Sequence, residues 1–173
     1  MLGFVTLTED ADLSGRGQAD RLLRDTADAL QARGLRLAGA VQQNLERGAG
    51  QDCDMDLRIL GDGAVIRISQ NLGQCAQGCR LDTGALAQAV ALAEAALTRG
   101  ADLVIVNKFG KQEGFGRGFR DFIASALAQE VPVLLSVPGE QLVAFRDFAG
   151  ALAQPVAPEA ALDWCLARIR PIA

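Results

Sequence analysis

The chain contains only two lysines, Lys108 and Lys111, and both lie in one glycine-containing segment, Asn107-Lys108-Phe109-Gly110-Lys111-Gln112-Glu113-Gly114. Arg16 sits in a second glycine-containing segment, Ser14-Gly15-Arg16-Gly17-Gln18, and Arg117 and Arg120 follow the first. Cations drawn from separate segments are what is needed to hold an oxyanion through charge-assisted hydrogen bonds. Glycines at the entry to a helix add backbone N–H groups and the positive end of the helix dipole. Within the lysine segment Glu113 is the residue type that serves as a general base, and Asn107 can orient a ligand. The competing reading is a pair of solvated loops whose charges contact nothing specific.

The formal net charge is −4, from 17 Lys+Arg against 21 Asp+Glu. That balance argues against a non-specific nucleic-acid or polybasic membrane binder, so any anion site must be local. There is no histidine and no tyrosine. Histidine-based triads and general bases, histidine-built zinc sites and phenolic acid–base chemistry are thereby excluded. Carboxylates, cysteines, lysines, hydroxyls or a bound cofactor would have to carry any reaction. Cys75 and Cys79 could share a soft metal, but a closed structural site wants four ligands, and only Cys53 and Cys165 remain. We therefore expect no metal site, with Cys165 in the core among Leu162, Leu166 and Ile169. Met1 to Leu7 lacks the basic flank of a signal peptide, and no stretch is apolar and long enough to span a bilayer. The expectation is a cytoplasmic protein with reduced thiols and no membrane insertion.

The elements that must position these residues are legible from periodicity. At 173 residues, 50% apolar and 22% charged, the chain suits one globular domain. Leu2–Leu7 and Leu35–Val41 read as strands flanking a helix from Gln18 to Arg33 that carries a Leu22, Leu23, Ala27, Leu30 stripe, with Gly34 as its C′ residue. Met55–Leu60 and Ala64–Ser69 flank Gly61-Asp62-Gly63 as a hairpin. Asp82 caps a helix from Thr83 to Arg99, and the consecutive apolar residues of Asp102–Val106 mark a strand covered on both faces. Phe115, Phe119, Phe122, Ile123, Ala126 and Leu127 give a helical stripe. Val131–Val137 is a strand, Gln141–Phe148 a helix, and Pro158 opens a last helix through Arg168. The order predicts a three-layer α/β domain with a mostly parallel sheet and an inserted hairpin. In such a sheet ligands bind beyond the carboxyl ends of the strands. The residues there are Thr8–Gly17, Gln42–Asn44, Asn107–Glu113 and Ser136–Gly139.

Two resemblances sharpen this expectation. Ala101-Asp102-Leu103-Val104-Ile105-Val106-Asn107-Lys108-Phe109-Gly110-Lys111-Gln112-Glu113, with Phe119 and Val131-Pro132-Val133-Leu134, resembles the Walker B region of the small P-loop nucleoside-triphosphatase/nucleotide kinase family first known from thermophiles. More closely, GRGQADRLL, the Gly39–Gln42 strand end, GCRLD and NKFGKQEGFGRG resemble the bacterial family called domain of unknown function 2478. That resemblance implies a P-loop-NTPase-like fold and a link to molybdenum transport or cofactor handling. The departures from the nucleoside-triphosphatase pattern are specific. Asn107 and Lys108 replace an Asp-Glu pair, and Gln18 and Ala19 stand where a P-loop carries Lys and Ser/Thr.

The resulting expectation is a nucleotide- or oxyanion-binding protein with degenerate Walker A and B motifs that is not an efficient NTPase. Its cradle is Ser14, Gly15, Arg16, Gly17 and Gln18, its charge comes from Lys108 and Lys111, and Asn107 and Glu113 orient the ligand. The ligand would be a nucleotide, phosphate or molybdate. One alternative is an active nucleoside-triphosphate phosphohydrolase or phosphotransferase using Glu113 as base. Another is an accessory protein that docks onto a protein partner or a second copy of itself.

Overall fold

A computed structural model describes residues 1–7, 17–45, 54–70 and 81–169. Seven strands form one sheet: β1 (Leu2–Val5), β2 (Leu37–Leu45), β3 (Asp54–Leu60), β4 (Val65–Arg67), β5 (Leu103–Val106), β6 (Val133–Ser136) and β7 (Ala153–Pro155). Their order is β4-β3-β2-β5-β6-β1-β7. The pairs β2·β5, β5·β6, β6·β1 and β1·β7 are parallel, whereas β2·β3 and β3·β4 are antiparallel. Strands β1, β5 and β6 are buried at every position, as strands covered by helices on both faces must be.

The helices are α1 (Gln18–Gln31), α2 (Thr83–Thr98), the single turn α3 (Lys111–Gly114), α4 (Arg120–Ala128), α5 (Leu142–Ala149) and α6 (Ala161–Leu166). Side chains alternate between faces along each strand, which splits the core in two. Leu103, Ile105 and Leu134 pack with Leu23, Ala27 and Leu30 of α1 and with Trp164 and Cys165 of α6. Val104, Val106, Val133 and Leu135 pack with α2, with Phe122 and Ile123 of α4, and with Phe145 of α5. The result is a three-layer α/β domain of the expected class.

Four local features depart from the sequence reading. Strand β2 does not stop at Val41 but runs to Leu45, because β3 pairs with it in register from Gly39↔Leu60 to Leu45↔Asp54 and gives its backbone a hydrogen-bonding partner. Gln42, expected on the rim, is therefore a buried strand residue. Phe115 does not join the buried stripe and is 77% exposed. Gly116 and Gly118, with φ of 79° and 58°, adopt left-handed conformations that delay α4 until Arg120. Edge strand β7, three residues long and ending in Pro155, has no periodicity that would reveal it.

Candidate functional site

The parallel strands β1, β5 and β6 end together, and the segments leaving β5 and β6 meet the start of α1. Gly17 precedes α1 with φ of 76°, and its carbonyl accepts from the amide of Arg21 at 2.9 Å. Asn107, 3% exposed directly after β5, makes two side-chain bonds in opposite directions. Its Nδ2 donates to Asp20 Oδ1 of α1 at 2.7 Å, and its Oδ1 accepts from Ser136 Oγ of β6 at 2.7 Å. One amide thus ties the first turn of α1 to the ends of β5 and β6. A carboxylate could not do this, because it has no proton to offer Asp20.

Beside this tie lies a cleft of about 390 Å³ lined by Leu7, Ala19, Asp20, Lys108, Ser136, Val137, Pro138, Gly139 and Glu140. Lys108 is exposed at its edge. Its ammonium makes no ion pair among the described residues, while Asp20 Oδ1 is engaged by Asn107. Gln18 is exposed at the first position of α1, one residue after Gly17. Ser14, Gly15 and Arg16 lie outside the described residues, as do Cys53, Cys75 and Cys79.

Among the described residues, the other candidate cations do not gather in that cleft. Lys111 opens α3 and lines a separate cavity on the α2 side of the sheet, which Lys108 also borders. Arg117 faces a groove against α2. Arg120 donates to the carbonyl of Glu113 at 3.2 Å and lies over the ring of Phe148, with its guanidinium carbon 4.5 Å from the centroid.

Glu113 is 4% exposed. Its Oε2 accepts from the amide of Gly110 and its Oε1 from the amide of Phe119, both at 2.9 Å. Burial pushes the carboxyl above the ordinary range, and those amides together with the charge of Lys108 only partly oppose the shift. Gly118 follows from this arrangement: a Cβ there would fall on the Glu113 carboxylate. Both oxygens of Glu113 therefore brace the turn that presents Lys108 and Lys111. Cys165 is fully buried in the α1/α6 core, and desolvation raises its thiol to about 12. Sequence reading missed Asp20 as the partner of Asn107. The signal available was a carboxylate three residues after Gly17, on the helix face that turns toward the sheet.

The fold and the placement of this cleft at the carboxyl edge of parallel strands define a P-loop-NTPase-like α/β domain. The model of the family of proteins of unknown function DUF2478 matches residues 12–164, and the chain belongs to that family. It is also 41% identical over 133 residues, 77% of its length, to the molybdenum import ATP-binding protein ModC 2 of Bradyrhizobium diazoefficiens. The match spans only 15% of that protein's length. No solved structure matches the chain.

Proposed function

We propose that the protein is a P-loop-like binding module that holds a small oxyanion, or the phosphates of a nucleotide, in the cleft between α1 and Lys108. The observation that carries this reading is the Asp20–Asn107–Ser136 tie. It fixes the start of α1 against the ends of β5 and β6, leaving Lys108 at the edge of the cleft. Gly17 and Gln18 place the N-terminal amides of α1 on the same side, where the helix dipole favours an anion. Ser14, Gly15 and Arg16 immediately precede them in sequence and are the residues we propose for the rest of the cradle.

Efficient NTP turnover is not part of this reading. Ala19 has no hydroxyl for a metal ion, and Asn107 has both ends of its amide engaged by Ser136 and Asp20. Glu113, the candidate base, has each oxygen engaged by a backbone amide, which disfavours the phosphohydrolase alternative. The relative's name concerns molybdenum import, which makes molybdate the first anion to test; the cytoplasm is the compartment we propose for the module. A second reading, an accessory module docking on a larger protein, is favoured by one observation: the match spans a small part of a much longer relative.

A thermal-shift panel of molybdate, tungstate, sulfate, phosphate and nucleotides, each with and without Mg²⁺, tests the primary reading. The expected result is stabilisation by at least one anion that does not require Mg²⁺ and is reduced by Lys108→Ala. No shift with any member of the panel would leave the docking reading as the better one.

A further inference from the structure

On the opposite face of the sheet from α1 lies a cavity of about 450 Å³, a size typical of small-molecule sites. We propose that it binds an organic anion with a flat ring system, the ring against the apolar floor and the acidic group toward the lysines at its edge. This site is separate from the α1 cleft, and the inference does not rest on the function proposed for that cleft.

The floor is Leu57, Ile68, Leu81, Leu86 and Phe119, with Gln42 as its polar neighbour. All but Leu81 are less than 9% exposed. They come from β3, the segment after β4, the residues just before α2, α2 itself and the residue that precedes α4, and all belong to or pack against one hydrophobic core cluster. The edge carries Lys108, Lys111 and the ring of Phe115.

Charge complementarity sets the occupant. Neither lysine has an ion-pair partner among the described residues. The carboxylate bordering the cavity, Glu113, is turned to the Gly110 and Phe119 amides. An apolar floor beside two lysines fits neither a bare oxyanion, which gains nothing from the floor, nor a neutral apolar molecule, which gains nothing from the lysines. A ring bearing a phosphate, sulfonate or carboxylate uses both. Phe115, held out in solvent by Gly116 and Gly118, adds an aromatic surface where such a ring would enter.

The test uses 1-anilinonaphthalene-8-sulfonate, an aromatic sulfonate whose emission rises in apolar surroundings, titrated into the full chain. The expected result is one saturable site, about fivefold weaker in Lys111→Ala and weaker by at least about tenfold in Leu81→Trp, which fills the cavity at its half-buried wall. Millimolar inorganic phosphate should leave the dye bound, and molybdate stabilisation should be the same in Lys111→Ala as in the parent. Equal thermal melts of the variants establish that they are folded. Three results would each overturn the proposal: no saturable dye binding, dye affinity unchanged in both variants, or displacement of the dye by phosphate. Because Lys111 does not line the α1 cleft, failure here and failure of oxyanion binding there are separate outcomes.

Discussion

Removing the Glu113 carboxylate should loosen the turn after β5 without acting as the loss of a catalytic base. In Glu113→Ala the amides of Gly110 and Phe119, each now donating at 2.9 Å, lose their acceptor. An unsatisfied buried donor costs about 1–3 kcal/mol, so the two would cost at most about 2–6 kcal/mol, the Gly110 amide being only part-buried. Relief of the buried charge offsets part of this, because the raised carboxyl pKa means that desolvation outweighs what the amides return. The expected net loss is about 2–4 kcal/mol. Glu113→Gln keeps the volume and one acceptor oxygen but sets an NH₂ group against the second amide, for a loss of about 1–3 kcal/mol. The pH dependence has a definite sign. A carboxyl whose pKa is higher folded than unfolded binds its proton more tightly in the native state, so stability falls as pH rises from the ordinary carboxylate range through the raised value. The gap between the parent and Glu113→Ala should therefore be widest in acid and narrow toward neutrality. Urea midpoints measured across that range, with hydrogen exchange at Gly110 and Phe119, are the assay. Unfolding free energies from those melts within about 0.5 kcal/mol of the parent for both variants would refute the bracing role.

Two further perturbations probe the tie and the packing around it. Asn107→Asp keeps the acceptor for Ser136 but faces a carboxylate to Asp20 Oδ1, now 2.7 Å away. It should cost about 1–3 kcal/mol at neutral pH and recover in acid, as urea melts at the two pH values would read. Gly3→Ala in β1 would bring a Cβ to 2.6 Å from the ring of Trp164. Overpacking of about 1–3 kcal/mol is expected, with a shift in the emission of the chain's single tryptophan; unchanged emission and stability would contradict the packing.

How much of this was legible in the sequence depended on whether a residue's role was local. Leu103–Val106 announced a covered strand by four consecutive apolar residues, and Asp82 announced a helix start that its side chain makes by accepting from the amide of Ala85 at 2.9 Å. Polar Gln42–Asn44 looked like a strand end because its hydrogen bonds come from β3, well beyond any local pattern. Phe115 looked like core because the spacing to Phe119 is helical, but two left-handed glycines intervene. Among the candidate site residues, Asn107 and Lys108 stood out by type and place, and the structure sets both beside α1. The division of labour was not visible: Lys111 and Lys108 are three residues apart, yet only Lys108 borders both spaces. The burial of Glu113 depends on amides three and six residues away, which spacing alone does not orient.

Lys108 is proposed to help hold an oxyanion against the start of α1. Isothermal titration of molybdate into the parent, Lys108→Ala and Lys111→Ala tests it most directly. Because Lys108 is exposed, its charge is screened and its contribution is about 1 kcal/mol, close to fivefold in affinity. The expected result is a saturable site in the parent, about fivefold weaker binding in Lys108→Ala and unchanged binding in Lys111→Ala. Equal affinities in the parent and Lys108→Ala, or no binding by the parent, would contradict it.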